Sequence, residues 1–485
     1  MTDPLMIAGV LIALTIFLTV SLLTLRYPHY SVWVILYAFI ALPEYQVNQD
    51  LPIWMTTWVM EVRFAGFNLM ELVILWSWVL LLLGRIIRGE SLRLHWIQNR
   101  WAWMLLLVWS LAAVHGVLRW FLSPVGDTTV LSAFGAFAPI CYIFLVALLV
   151  EQLTRDAEQL DFHLRAMWIF FWVIVLRGVV RLIMIEIGYI QTLEIRLPIV
   201  IYREAMFVIY VLVLFFVARR MKISKSLRPG VIITALVTLF LFLTTRRIVY
   251  IIAVVAPVWA IIVGYWTQSL PPLSLGSRLK RLGGVVALLG LLVMLIPSEP
   301  IIVMIDTFRS INIWSETGIR MASGAERVSQ VENLFANLEH ENSWLFGTGL
   351  GTYWREYIPV PHSPYTGFNK ILSQGATSFP AFVLPGVNLL YRLGILGSLI
   401  LFFVMWKYLI FHIRKIRRVS LPWYRAQYIS LVSLFFVLFF FLGDTRTPST
   451  VFAGVLLGLG EAIARIYGDG QSDLMQRRGD APTQH

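Results

Sequence analysis

Long apolar runs separated by short polar loops are the feature that most constrains this chain. Hydrophobic residues make up 59% of its 485 residues, and the mean hydropathy is +0.77. Soluble proteins average about 45–50% apolar residues. Because a helix of about 20 apolar residues matches the thickness of the bilayer core, the pattern predicts an all-α, polytopic integral membrane protein.

We predict about thirteen membrane-spanning helices, because apolar runs of suitable length recur along most of the chain. The second run is short. The predicted spans are 5–25, 31–44, 64–84, 101–120, 129–151, 165–187, 200–218, 230–245, 248–266, 283–298, 386–411, 421–442 and 449–467.

These spans divide the chain into four parts. A membrane region of about ten helices is followed by a large loop, a second membrane region and a polar tail for which we predict disorder. The four parts cover 1–299, 300–385, 386–468 and 469–485.

The basic residues predict the orientation. The formal net charge is +12, and the basic residues cluster in short loops that fall on one side if the spans alternate. By the positive-inside rule that side is cytoplasmic, which favours a topological role for the charge over nucleic-acid binding. The large loop then faces outward. The clusters are 85–100, 219–228, 278–281 and 414–418.

Charged residues also occur near the outer ends of the spans, where burial in lipid is costly. Each could simply snorkel to headgroups or pair with a nearby glutamate. As a set they predict a cavity for a polyanion, because guanidinium groups offer several donors and stay charged. A pyrophosphate is the expected ligand. The residues are Glu71, Arg177, Arg181, Arg203, Arg246, Arg247 and Arg392.

Part of the large loop has helical periodicity. Val328, Val331, Leu334, Phe335 and Leu338 recur at spacings of three and four. Apolar residues at this spacing share one face of a helix. We expect an amphipathic helix that lies over the outer membrane face.

A glycine cluster and a histidine follow in FGTGLGTYWREYIPVPHSPY. The glycines, among them Gly349, allow close backbone approach to a ligand, and a plain turn is the alternative. His362 lies between prolines and is suited to general-base catalysis. It has no second ligand at metal spacing nearby, and Cys141 is the single cysteine, so we expect neither metal nor disulfide.

These motifs resemble the O-antigen ligase and polysaccharide polymerase superfamily. The order is an arginine opening the loop helix, Gly-x-Gly-x-Gly, His362, and then Gly394-Ile-Leu-Gly397 in the next span. Thr245-Arg246-Arg247 is similar to the Ser-Arg of that family at a helix end. The resemblance covers roughly the last 250 residues.

The resemblance implies a membrane glycosyltransferase of GT-C-like architecture in the bacterial inner membrane, active on the periplasmic side without metal or cofactor. Its donor would be a glycan on undecaprenyl pyrophosphate, and a chain-length regulator is an expected partner. Catalytic roles carry over to His362, Arg246 and Arg327. Further substrate-binding candidates are Arg177, Arg181, Arg203, Arg247, Arg320, Glu71, Gly349 and Tyr365, with Arg247 and Arg320 as rivals of Arg246 and Arg327.

The acceptor separates two versions of this function. A polymerase, which we favour, transfers the glycan to another lipid-linked repeat unit, whereas a ligase transfers it to lipid A core. A flippase for the same lipid-linked glycan is a further alternative. So is a cell-wall polymerase that uses an acidic loop residue, with Asp306, Glu316 and Glu326 as candidates.

Overall fold

The computed structural model describes the chain in segments that include most of the predicted helices. The described residues are 15, 17–41, 69–122, 130–187, 202–223, 247–270, 322–358, 378–379, 385–441 and 447–468. The predicted spans 230–245 and 283–298, and the tail 469–485, lie outside them.

The described residues form twelve helices and one pair of two-residue strands. In chain order the elements are α1 (Phe17–Arg26), α2 (Tyr30–Ala41), α3 (Leu69–Ile87), α4 (Arg100–Leu122), α5 (Val130–Leu153), α6 (Ala157–Glu186), α7 (Tyr202–Arg220), α8 (Arg247–Trp266), α9 (Ala322–His340), β1 (Trp354–Arg355), β2 (Ser378–Phe379), α10 (Pro385–Arg418), α11 (Pro422–Phe441) and α12 (Thr447–Gly468).

The prediction of an all-helical membrane protein is confirmed. Seven helices among the described residues are long and apolar enough to cross a membrane, and three shorter helices are also apolar. Two spans start or end away from their predicted bounds: α6 begins at Ala157, before the predicted 165, and α10 continues to Arg418, beyond 411. The total of thirteen spans and the GT-C-like architecture stay predictions.

Three helices form the centre of the bundle. In α7, every residue from Ala205 to Phe215 is buried, and α11 and α12 are buried over 78% and 89% of their apolar windows. The corresponding share for α4 is only 33%. A helix that is apolar on all sides packs in a core, whereas α4 and α10 expose leucine and phenylalanine on surfaces suited to lipid.

Two glycines allow α12 to pack directly on the backbone of α5. A Cβ atom on Gly454 would lie 2.6 Å from the carbonyl oxygen of Ile143, and one on Gly458 would lie 2.7 Å from that of Ala147. Gly454 and Gly458 are four residues apart, as are Ile143 and Ala147. Two successive turns of α12 therefore contact two successive turns of α5. Small residues at this spacing let membrane helices approach closely where no hydrophobic effect drives association.

Contacts between helix ends gather the described basic clusters at one end of the bundle, which we call the basic end. Arg465 Nε lies 2.5 Å from Glu151 Oε1, and Arg85 donates to Gln152 Oε1 at 2.8 Å. Arg417 donates to the Trp266 carbonyl, which joins α10 to α8. These bonds fasten the helix ends through groups that would be costly to bury unpaired.

The α5–α12 contact generates a stability prediction. Gly454→Ala and Gly458→Ala each force a methyl group against a backbone carbonyl, so we expect a loss of about 1–3 kcal/mol, measured by thermal unfolding in detergent. Gly460→Ala is the matched control, because its nearest neighbour is a Val432 methyl at 3.7 Å. Alanine raises helix propensity equally at all three positions. Equal melting temperatures for the three variants would contradict this packing.

Candidate functional site

The predicted catalytic residues are described only in part. His362, Arg246, Arg320 and Tyr365 lie outside the described residues. The backbone of Arg327 is in the first turns of α9, and its side chain lies outside the description. The same holds for the side chains of three further candidates in helices, Arg181, Arg203 and Arg247.

The helices that carry the predicted pyrophosphate ligands place them away from the basic end. Arg203 and Arg247 lie in the first turn of α7 and α8, both of which end at the basic end. Arg177 lies twenty residues after the start of α6, about 30 Å along its axis. Arg177 and Glu71 are half-buried, and both make interactions with other residues.

The glycine cluster forms a turn wedged between α4 and α10. Gly347, Gly349 and Gly351 have φ angles of 69°, 83° and 80°, a region that side chains disfavour. A Cβ on Gly349 would lie 2.3 Å from the amide nitrogen of Gly116 on α4. The amide of Gly349 donates to the Arg392 carbonyl at 3.0 Å. Backbone packing therefore accounts for this glycine, and a contact with substrate stays a prediction.

A kink in α10 packs against this turn. Gly394 has φ 64° and ψ −173°, which interrupts the helix. The freed amides of Ile395 and Leu396 donate to the carbonyls of Trp344 and Leu345 at 2.8 and 3.0 Å. Backbone groups near the membrane need such partners, because lipid supplies none. The loop thus completes the hydrogen bonding of a broken span.

Arg392, which belonged to the predicted set of outward-facing cations, is buried in the glycine turn. It is 4% exposed, and its Nη1 donates to Thr352 Oγ1 at 2.8 Å and to the Thr352 carbonyl. Its guanidinium also lies over the Tyr391 ring at 5.3 Å. These contacts indicate that Arg392 stabilises the turn.

A second arginine, Arg119, fastens the turn to the end of α4. It lies 3.0 Å from Glu341 Oε2 and donates to the carbonyls of Glu341 and Gly347 at 3.1 and 3.3 Å. Burial raises the pKa of the Glu341 carboxyl, and the charge of Arg119 lowers it less strongly. The other oxygen, Oε1, is buried with no hydrogen-bond partner in the described part of the chain, which explains why burial prevails.

Two asparagines on α9 hold an extended segment against that helix. Asn337 accepts from the Arg355 amide at 2.8 Å and donates to its carbonyl at 2.7 Å. Four residues earlier, Asn333 accepts from the amides of Tyr357 and Ile358 at 2.7 and 3.0 Å and donates to the Ile358 carbonyl at 2.7 Å. The two side-chain amides thus make the hydrogen bonds to this backbone that a neighbouring strand would otherwise make.

The helix predicted in the loop is present, but its buried face differs from the predicted apolar face. Leu334 and Leu338 are buried with Trp354 and Tyr391. Phe335 is exposed and stacks on Trp344 at 5.7 Å. The buried face also includes the polar residues Ser329, Gln330, Asn333 and Asn337. Of these, Asn333 and Asn337 bond the extended segment. Apolar periodicity alone could not identify these residues, although asparagines four residues apart were a visible signal.

The remaining closure of the loop comes from β1 and β2. Trp354 pairs with Phe379 and Arg355 with Ser378 in an antiparallel register. The segment 359–377 contains His362 and Tyr365. The residues that flank it, Ile358 and Ser378, are therefore both held by the same part of the structure. We define this platform as α9, the glycine turn and the β1–β2 pair.

Comparison with known proteins gives no assignment. No family model matches the chain, and neither a curated protein nor a solved structure matches it. The resemblance to the O-antigen ligase and polymerase superfamily therefore stays a prediction from the residues. In the part of the chain that the structure describes, no group of three or more His, Cys, Asp or Glu side chains is arranged to hold a metal.

The asparagine contacts generate a test of the platform. Asn337→Asp keeps the shape but removes both donors and sets a carboxylate against two carbonyls. An unsatisfied buried polar group costs about 1–3 kcal/mol. We expect faster hydrogen–deuterium exchange across 353–358. Asn342→Asp makes the same charge change at an exposed position, and equal exchange in the two variants would contradict this role.

The burial of Glu341 generates a pH prediction. Folding raises the pKa of this carboxyl above 4.5, so the folded state favours its protonated form. The stabilisation from this protonated form is complete below pH 4.5 and is lost as the pH rises through the folded pKa. The melting temperature of Glu341→Gln should therefore increase relative to wild type between pH 4.5 and pH 7.5. Glu339→Gln changes an exposed carboxylate on the same helix and serves as control. A difference independent of pH would refute the effect of burial.

Proposed function

We propose that this protein is a membrane glycosyltransferase that transfers a glycan from undecaprenyl pyrophosphate to a sugar hydroxyl of a second lipid-linked repeat unit. This is the polymerase reaction of the O-antigen ligase and polymerase superfamily. The observation that carries the proposal is the contact between α9 and the segment that leads to His362. Of the residues proposed for catalysis, Arg327 belongs to α9 and His362 follows that segment in the chain.

The direction of the extended segment supports this arrangement. Arg355 bonds Asn337 and Ile358 bonds Asn333, so the segment runs toward the start of α9. Arg327 lies six residues before Asn333 on α9, a distance of about 9 Å along the axis. His362 follows Ile358 by four residues, a span of at most about 14 Å. The chain from Ile358 is therefore long enough for His362 to reach the level of Arg327 on α9.

The distribution of cationic helix positions supports an anionic donor. The backbone positions of Arg177, Arg181, Arg203 and Arg247 all lie in the halves of their helices away from the basic end. By the positive-inside rule the basic end is cytoplasmic, so the end that carries these arginines faces the periplasm of a bacterial inner membrane. Lipid-linked glycans present their pyrophosphate at that boundary.

The proposed mechanism assigns charge stabilisation to the arginines. Arg246 and Arg327, assisted by Arg177, Arg181 or Arg203, bind the pyrophosphate of the donor. His362 accepts the proton of the attacking hydroxyl. The hydroxyl oxygen bonds to the anomeric carbon while the bond from that carbon to the phosphate oxygen breaks, which inverts the anomeric centre. Undecaprenyl pyrophosphate leaves with the electron pair, stabilised by the guanidinium groups.

The polar contacts of the platform support the proposal that a base is held outside the bilayer. The Arg119–Glu341 pair, the buried Arg392 and the asparagine contacts fix both ends of the turn before His362. Correct positioning of catalytic groups is a major part of rate enhancement. A loop that merely connected two spans would not need three separate sets of polar contacts.

The activity test uses the purified full chain with a polyprenyl-pyrophosphate glycan. We expect His362→Ala to lower kcat by about 10²–10⁴-fold, the usual contribution of a general base. Arg246→Ala and Arg327→Ala should also lower the rate, with partial recovery in the lysine variants. His95→Ala and Arg165→Ala are controls, because both side chains are exposed and lie near the basic end. Wild-type rates for His362→Ala would eliminate this base.

The products separate the alternatives. A ladder of glycan lengths on the carrier lipid indicates a polymerase, and a single transfer to lipid A core indicates a ligase. Transbilayer movement of the donor without a covalent change would instead indicate a flippase. Strong inhibition by a metal chelator would contradict the arginine mechanism.

A further inference from the structure

A cation-lined cavity lies between α4 and α10 near the basic end. Its volume is about 330 Å³, and it is bordered by Gln98, Arg100, Trp101, Lys407, Ile410, Phe411 and Arg414. The start of α4 is held against α10 because Asn99 Nδ2 lies 3.1 Å from His412 Nε2. His412 is held in turn by Tyr428 at 2.5 Å and Glu461 at 3.2 Å. The cavity is thus bounded by two fixed helices.

The three cations of the cavity differ from most other arginines at this end. Arg85, Arg155 and Arg465 bond carboxylates, amides or carbonyls. Within the described part of the chain, Arg100, Lys407 and Arg414 have no carboxylate partner. Arg100 and Lys407 make only cation–π contacts, with Trp101 and Phe403, at 5.2 Å. Three positive charges therefore border one cavity without a carboxylate partner among the described residues.

The position of Lys407 indicates a ligand at the membrane boundary. Lys407 is half-buried and precedes Arg414 by seven residues, about 10 Å along α10. Isolated cations in an apolar span are unfavourable, so they usually pair or serve a site. Arg414 and Arg100 are exposed at the mouth, where the positive end of the α4 dipole also favours an anion.

The apolar walls of the cavity distinguish a lipid from a soluble anion. Trp101, Ile410 and Phe411 supply apolar surface beside the three cations. Both helices also expose apolar residues within one or two turns of the lining residues, including Met104 and Leu107 on α4 and Phe403 on α10. A phosphate with attached acyl chains would contact both parts of this surface, whereas a free phosphate would contact only the cations.

We propose that this cavity binds the phosphate headgroup of an anionic phospholipid, with its acyl chains along α4 and α10. Basic pockets between membrane helices are suited to such headgroups. The site lies at the end of the bundle opposite the proposed catalytic platform, so the proposal does not depend on the glycosyltransferase function. Phosphate is the shared chemistry, and the lipid is the source that the apolar walls favour.

Binding can be measured by native mass spectrometry of the full chain, titrated with phosphatidylglycerol or phosphatidylcholine of identical acyl chains. We expect tighter binding of phosphatidylglycerol by the wild-type protein. Loss of a direct contact between a basic side chain and the phosphate costs about fivefold in affinity, so Lys407→Ala/Arg414→Ala should weaken this binding by about thirtyfold. Lys407→Arg should retain it. Phosphatidylcholine binding should change little.

A charge-matched control separates the cavity from general electrostatics. Arg165→Ala/Arg418→Ala removes two exposed cations that do not line the cavity, and it should leave phosphatidylglycerol affinity within twofold to threefold of wild type. An equal loss in both double variants would overturn the proposal. Full competition by millimolar glycerol 3-phosphate would also overturn it, because a soluble anion would then suffice. Thermal unfolding of each variant identifies any loss that results from misfolding.

Discussion

Close backbone contact at glycine is the interaction on which the rest of this structure depends. Gly454 and Gly458 bring α12 against α5, and Gly116 lets the glycine turn reach α4, where a Cβ would lie 2.1 Å from the Leu350 carbonyl oxygen. Within lipid, helix association depends on such fitting rather than on the hydrophobic effect. The same device therefore builds the centre of the bundle and attaches the platform to it.

The polar residues of the bundle divide into two groups with different consequences. Arg85, Arg119, Arg392 and Arg465 are committed to carbonyls, amides and carboxylates, and they fasten helix ends or the glycine turn. Arg100, Lys407 and Arg414 border a cavity instead. A buried charge without a partner is expensive, so the number of contacts already made by an arginine indicates whether it stabilises the fold or remains able to bind a ligand. Sequence position alone does not separate these groups.

The platform and the cavity proposed to bind lipid lie at opposite ends of the described bundle. On the platform, asparagine side chains pair with the extended backbone of residues 355–358. In the cavity, cations stand on the helices themselves. A transferase with lipid-borne substrates would benefit from both: a fixed outer support for chemistry and an inner contact that anchors the helices in anionic lipid.

The sequence by itself determined the helical membrane class, most helix positions and the gathering of described basic clusters at one end, because apolar length and charge are local properties. It also indicated a helix near 322–340. Only the tertiary structure decided that Asn333 and Asn337 face inward. The same holds for the hydrogen bonds of Arg392 within the glycine turn and for the packing of Gly349 on Gly116. These outcomes depend on partners more than 15 residues away in the chain, such as Arg355 for Asn337 and Thr352 for Arg392. Periodicity carries no information about such partners, since it reports which residues avoid water and not which groups they meet.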